Sequence, residues 1–164
     1  MKNYIGTKEL KATPMTRAEY NTYRGWELPA NEKREDEGYL VEYAKGSGTN
    51  HEKHEGYISW SPKDVFEEAY RENGNFNFGD VLLLLKKGKK VARKGWNGKD
   101  MFLYYVKANS YPVSGNPGSA VKGYFEGDLV PYGAYIALKT AQGNVCPWGG
   151  IGTDVLAEDW VVLD

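Results

Sequence analysis

Asn77-Phe78-Gly79-Asp80-Val81-Leu82-Leu83-Leu84-Leu85-Lys86-Lys87-Gly88-Lys89-Lys90-Val91-Ala92-Arg93-Lys94-Gly95-Trp96-Asn97-Gly98-Lys99 is the stretch that decides the fold. Asn77 has a capping side chain and Asp80 stands three residues on, the spacing that closes the first turn of a helix. Val81 to Leu85 supplies the apolar body of that helix. Lys86 and Lys87 sit in its last turn, where cations favour the helix dipole, and Gly88 supplies the stop. Lys89 to Lys94 then reads as a strand. Asn97-Gly98 is a strong short hairpin signal, and it predicts a type I′ turn into the strand Met101-Phe102-Leu103-Tyr104-Tyr105-Val106.

Working outward toward the C-terminus, a Gly/Pro/Ser-rich loop covers Asn109 to Gly118. Strands are predicted around Ala134–Lys139, Val145–Trp148 and Trp160–Leu163, with a short helical turn at Thr153–Ala157 before the last. Toward the N-terminus, Thr16 and Glu19 have capping-box spacing for a helix over about 17–23. Gly38–Tyr43 and Gly56–Trp60 alternate like paired strands, joined by a long polar tip over Lys45–Glu55. Ser61-Pro62-Lys63-Asp64 predicts a helix start, with Ser61 as cap. The fold class expected is α+β: a helix packed on a twisted antiparallel sheet, preceded by a small helix–hairpin–helix segment. The Asn/Gly stretch over 71–77 is the expected joint, giving an N-terminal extension over 1–74 and a second domain over 75–164.

The chain has 164 residues, enough for one ordinary domain or two small ones, and 41% of them are hydrophobic. Twenty-one basic residues stand against 22 acidic ones, so a net charge of -1 removes the broad positive field of a nucleic-acid binder. Residues 1–73 carry 11 basic and 14 acidic side chains and residues 74–164 carry 10 and 8, a mild opposite polarity. The first residues lack an apolar signal core, and the run Val81–Leu85 is too short to cross a bilayer, so a soluble, cytoplasmic protein is expected. A single cysteine, Cys146, excludes an internal disulfide.

Few residues advertise chemistry. His51 and His54 are three apart beside Glu52 and Glu55, but on a polar tip with no rigid element to fix ligand geometry, so a solvated loop is expected and no metal. Phosphate-loop, dinucleotide and serine-nucleophile signatures are missing, as is any marked catalytic cysteine, and the expectation is a protein that is not an enzyme. Six cations crowd the nine residues from Lys86 to Lys94. Two of them serve the helix end, and alternation in the strand turns the others to solvent or toward a small anionic ligand. The unusual number is aromatic, with 13 Tyr and 5 Trp. Cores and cross-strand pairs absorb most such rings. Trp96-Asn97-Gly98-Lys99 has two readings: a sheet cap and turn, or an aromatic face beside an amide and cations, a combination suited to a nucleotide. Residue types alone leave these even.

The run from Asn77 to Tyr104, together with the tail Thr153-Asp154-Val155-Leu156-Ala157-Glu158-Asp159-Trp160, resembles the second family of Thoeris anti-defence proteins, small phage sponges for a signalling nucleotide. Two long motifs in order, at the right separation, carry the resemblance over about residues 75–164. It implies sequestration of a cyclic ADP-ribose-type nucleotide (glycocyclic ADP-ribose), blocking the Thoeris effector without catalysis or cofactor. It also implies a homo-oligomer, a tetramer above all, with ligand held between subunits, and neither membrane nor nucleic-acid polymer as partner. By position, Trp96 would stack on the adenine, Asn97 would define that wall, and Thr153 and Asp154 would hydrogen-bond ribose or base. Lys94 and Lys99 are assigned to the pyrophosphate, and Phe102 and Tyr104 to the pocket walls, by position and charge. The alternatives from other classes are an enzyme that degrades the same nucleotide and a module that blocks a host protein. Residues 1–73 are extra to this resemblance, although parts of them are similar to a common phage segment of unknown role.

Overall fold

The computed structural model describes residues 1–3, 6–44, 46, 48–113 and 120–163. The chain divides into two compact units, Met1–Arg71 and Glu72–Asp164.

In the first unit, β1 (Leu10–Pro14), β2 (Gly38–Tyr43) and β3 (Ile58–Pro62) form an antiparallel sheet in that order, with Thr13 opposite Leu40 and Val41 opposite Ser59. Helix α1 (Arg17–Arg24) has the expected capping box: Thr16 accepts from the Glu19 amide while the Glu19 carboxylate accepts from the Thr16 amide. Gly25 ends it in the left-handed region at φ 69°, where a β-carbon would be strained. Tyr20 on α1 packs with Leu40 and Ile58 from the sheet to make a small core. Helix α2 (Lys63–Ala69) follows, its Phe66 stacked on Tyr39 at 4.2 Å.

Two expectations need correction in this unit. Leu10–Pro14 adds a third strand, so the segment is a sheet with two helices rather than a helix–hairpin–helix. Four of the five β1 residues are exposed, and an edge strand with little buried face carries no apolar alternation to read. Ser61 does not cap α2: β3 runs on through Pro62, and no side chain caps the helix.

The second unit is built on the stretch from Asn77 to Lys99. Helix α3 (Phe78–Lys86) starts at the capping box of Asn77 and Asp80. Beyond its end Gly88 is left-handed at φ 83°, and the Gly88 and Lys89 amides bond back to the carbonyls of Leu85 and Leu84. Its apolar face lies on an antiparallel sheet ordered β10 (Trp160–Leu163), β4 (Lys90–Arg93), β5 (Phe102–Val106), β8 (Tyr135–Lys139) and β9 (Val145–Pro147). Val81 and Leu85 from the helix meet Val91, Leu103 and Trp160 from the sheet, all 1% exposed or less. Each such aliphatic side chain contributes roughly 1.5–3 kcal/mol by leaving water. Helix α4 (Gly152–Val155) is one turn before β10.

The loop expected over Asn109–Gly118 opens as a strand, β6 (Asn109–Pro112), which pairs with β7 (Leu129–Tyr132) as a separate two-stranded ribbon. The part of that loop over 114–118 lies outside the described residues. Asn97-Gly98 does not make a type I′ turn either. That turn needs positive φ at both central residues; neither has it, and the left-handed residue is Asp100 at φ 55°. The connection from β4 to β5 is therefore a longer loop over 94–101, and Trp96 and Asn97 lie within it.

Candidate functional site

The best-organised corner of the second unit forms where β4 ends, α4 turns and β10 begins. Arg93, at the end of β4, reaches across to two carboxylates. Its Nη1 donates to Asp154 Oδ1 at 2.5 Å, and its Nε and Nη2 donate to Asp159 Oδ1 and Oδ2 at 2.7 and 3.3 Å. The basic strand thus does not send Arg93 to solvent, as alternation predicted. Its side chain is 20% exposed, and hydrogen bonds to Asp159 and then Asp154 hold it charged. In return, the Arg93 hydrogen bonds keep the Asp159 carboxyl below the usual carboxylate range.

Asp159 also fixes the loop that follows β4. The Gly95 amide donates to its Oδ2 at 2.9 Å, and the Lys94 amide donates to its backbone carbonyl at 3.1 Å. Asp154 holds two indoles at once. Trp96 Nε1 donates to the Asp154 carboxylate at 3.2 Å, and Trp160 Nε1 donates to the Asp154 carbonyl at 3.1 Å. The two rings meet edge to face, 5.4 Å apart at 75°. One side of Trp96 thus rests on the core while the ring remains only partly buried.

Of the residues expected to meet a ligand, Trp96 and Asp154 are in direct contact although 58 positions apart. Asn97 and Lys99 are on the same loop, and Thr153 is exposed on α4 beside Asp154. Asp154 is 8% exposed and already engaged by Arg93 and Trp96. The Lys94 side chain lies against Gly74, in the space that a β-carbon there would occupy. Phe102 and Tyr104 are elsewhere. Leu103 between them points into the core, so alternation along β5 sends both rings to the opposite face of the sheet. There they line a shallow groove of about 410 Å³ with Lys90, Lys139 and Val145. Within one chain they do not share a wall with Trp96.

Sequence reasoning did not single out Arg93 or Asp159. Arg93 stood in a run of cations, and its partners lie 61 and 66 residues away. Asp159 was visible only as part of the tail motif.

The histidines of the first unit are not on a freely solvated tip. His54 Nδ1 is 3.0 Å from Glu42 Oε2, and His54 Nε2 is 2.8 Å from the Tyr23 hydroxyl. His51 stacks on the Tyr23 ring at 4.7 Å. The Glu55 and Gly56 amides donate to Glu42 Oε1, so one carboxylate pins the returning chain. The hydrogen bond with His54 is the main cause that lowers the Glu42 pKa. Among the described residues, no group of three or more His, Cys, Asp or Glu side chains has the arrangement of a metal site. No helix among them is long and apolar enough to cross a membrane.

Residues 76–163 match the family described as Tad2-like, the Thoeris anti-defense 2-like domain. The chain is also 37% identical over 87 residues to Thoeris anti-defense 2 of Bacillus phage SP01, a match that spans 53% of this chain and 93% of the phage protein.

Proposed function

The chain belongs to the Thoeris anti-defense 2-like family, and from that premise we propose that it serves a phage by sequestering a signalling nucleotide. The nucleotide is of the cyclic ADP-ribose type, glycocyclic ADP-ribose above all. It is held reversibly without bond cleavage, in the host cytoplasm, by a homo-oligomer of this chain.

The observation that carries this reading is the Trp96 indole. It is fixed on one side by Asp154 and Trp160 and remains partly open on a loop bearing Asn97 and Lys99, with Thr153 next in sequence to its anchor. A ring immobilised before binding loses little further freedom when a base stacks on it. Base-on-aromatic stacking is worth about 1–3 kcal/mol. A micromolar dissociation constant needs about 8 kcal/mol, so polar contacts must supply most of the remainder. In this reading Asn97 and Thr153 meet the base edge or a ribose, Lys99 faces the pyrophosphate, and Lys94 reaches it by leaving its place against Gly74. Asp154 acts mainly by holding the indole. Phe102 and Tyr104 belong to the opposite face, and reach a shared ligand only as the wall offered by another copy.

Titration calorimetry with glycocyclic ADP-ribose tests the assignment. Trp96→Ala is expected to weaken binding between about fivefold and a hundredfold or more, the equivalent of one lost stack. Unchanged affinity in a folded Trp96→Ala protein would remove Trp96 from the site.

A further inference from the structure

We propose that Arg93 is a positioning residue for nucleotide binding, setting the orientation of Trp96 through Asp154 without touching the ligand. The inference rests on the sequestering role argued above and adds to it the residue on which the stacking surface depends.

Arg93 has little left to offer a ligand. Three of its N–H groups are given to two carboxylates, and four-fifths of its side chain is out of solvent. Its contact with Asp154 is made to Oδ1, the same oxygen that accepts the Trp96 indole N–H. Removing the guanidinium would leave a nearly buried carboxylate without its counter-charge. Such a group turns toward water, and the turn displaces the acceptor that fixes the indole. The same guanidinium also organises the start of the loop. It anchors Asp159, whose carboxylate receives the Gly95 amide and whose carbonyl receives the Lys94 amide. Arg93 therefore ties together the residue before Trp96 and the atom that holds its ring. A lysine cannot replace it, because one ammonium does not reproduce a planar fork shared between two carboxylates.

The test combines ring order in the free protein with affinity in a two-residue cycle. The full chain is labelled with fluorotryptophan, and the Trp96 resonance is assigned by its loss in Trp96→Phe. Arg93→Met and Arg93→Lys are then each made in the unaltered chain and in the Trp96→Phe variant, and titrated with glycocyclic ADP-ribose. Without ligand, both Arg93 variants are expected to broaden or split the Trp96 resonance while the Trp160 resonance stays sharp. Affinity is expected to fall about tenfold where Trp96 is present and less than about twofold beside Trp96→Phe, as coupled members of one network behave. An unaltered, sharp Trp96 resonance in Arg93→Met would overturn the proposal. So would an equal loss of affinity in both backgrounds, the mark of direct contact with the ligand. Should Arg93→Met unfold, Asp159→Asn keeps the fold test separate: it frees Arg93 from one partner and is expected to broaden the same resonance, and a sharp one again counts against the proposal. If the unaltered protein binds no nucleotide yet Arg93→Met disorders the ring, the sequestering role fails and the positional link between Arg93 and Trp96 stands.

Discussion

At the scale of single residues, the corner around Asp154 has an electrostatic signature. Asp159 has its folded pKa held down, chiefly by hydrogen bonds from Arg93. An acid depressed in this way stabilises the fold fully above its unfolded pKa of about 4, and the contribution is lost as pH falls through the lower folded value. Thermal unfolding across the acid range checks this. Asp159→Asn is expected to be less stable than the unaltered chain at neutral pH, with the gap closing as the solution is acidified below about pH 4. A gap that stays constant through that range would mean that Asp159 contributes by geometry alone. Trp96 was legible as a candidate from its neighbours Asn97 and Lys99. Its orientation was not, because both anchors come from residues near 154 and 160 that no local spacing connects to it.

At the scale of elements, local chemistry was readable wherever it was enough to determine structure. Thr16 with Glu19 and Asn77 with Asp80 both close as capping boxes, since each bond spans only three residues. Asn77→Ala is expected to cost about 1 kcal/mol, the usual worth of such a cap, and to lower the denaturant midpoint without changing the slope. No change in midpoint would show that β4 and β10 alone define where α3 begins. Elements fixed by tertiary pairing were harder to see. β1 is an exposed edge strand that exists because β2 offers it a register, from Leu10 opposite Tyr43 to Pro14 opposite Tyr39. β6 and β7 pair across an interval that reads as loop, with only partial burial at Val130. The polar tip, described over 48–55, is shaped by its own Thr49, Asn50 and His51 together with Glu42 and Tyr23 from outside it, and only the local part of that set could be read from its sequence. Asn97-Gly98 erred the other way: a strong turn signal gave way to the loop that Asp159 and Asp154 hold in place.

At the scale of the whole molecule, family likeness and architecture divide the chain in related ways. The matched residues, 76–163, fall inside the second unit, whose sheets are built from its own strands. The first unit has its own sheet and a core of Tyr20, Leu40 and Ile58. Helix caps and strand patterning indicated an α+β chain, the balanced charge removed a nucleic-acid field, and the motifs indicated an anti-defence family. The geometry of the candidate site depended on contacts across some sixty residues, and it emerged only with the fold. The most direct test of the central claim is capture and release. Glycocyclic ADP-ribose is mixed with the purified full chain, the protein is removed by filtration, and the retained material is heat-denatured and analysed. The sequestering account predicts depletion from the filtrate followed by recovery of the intact nucleotide. Recovery of an altered product would make the protein an enzyme, and failure to deplete the nucleotide would contradict the account.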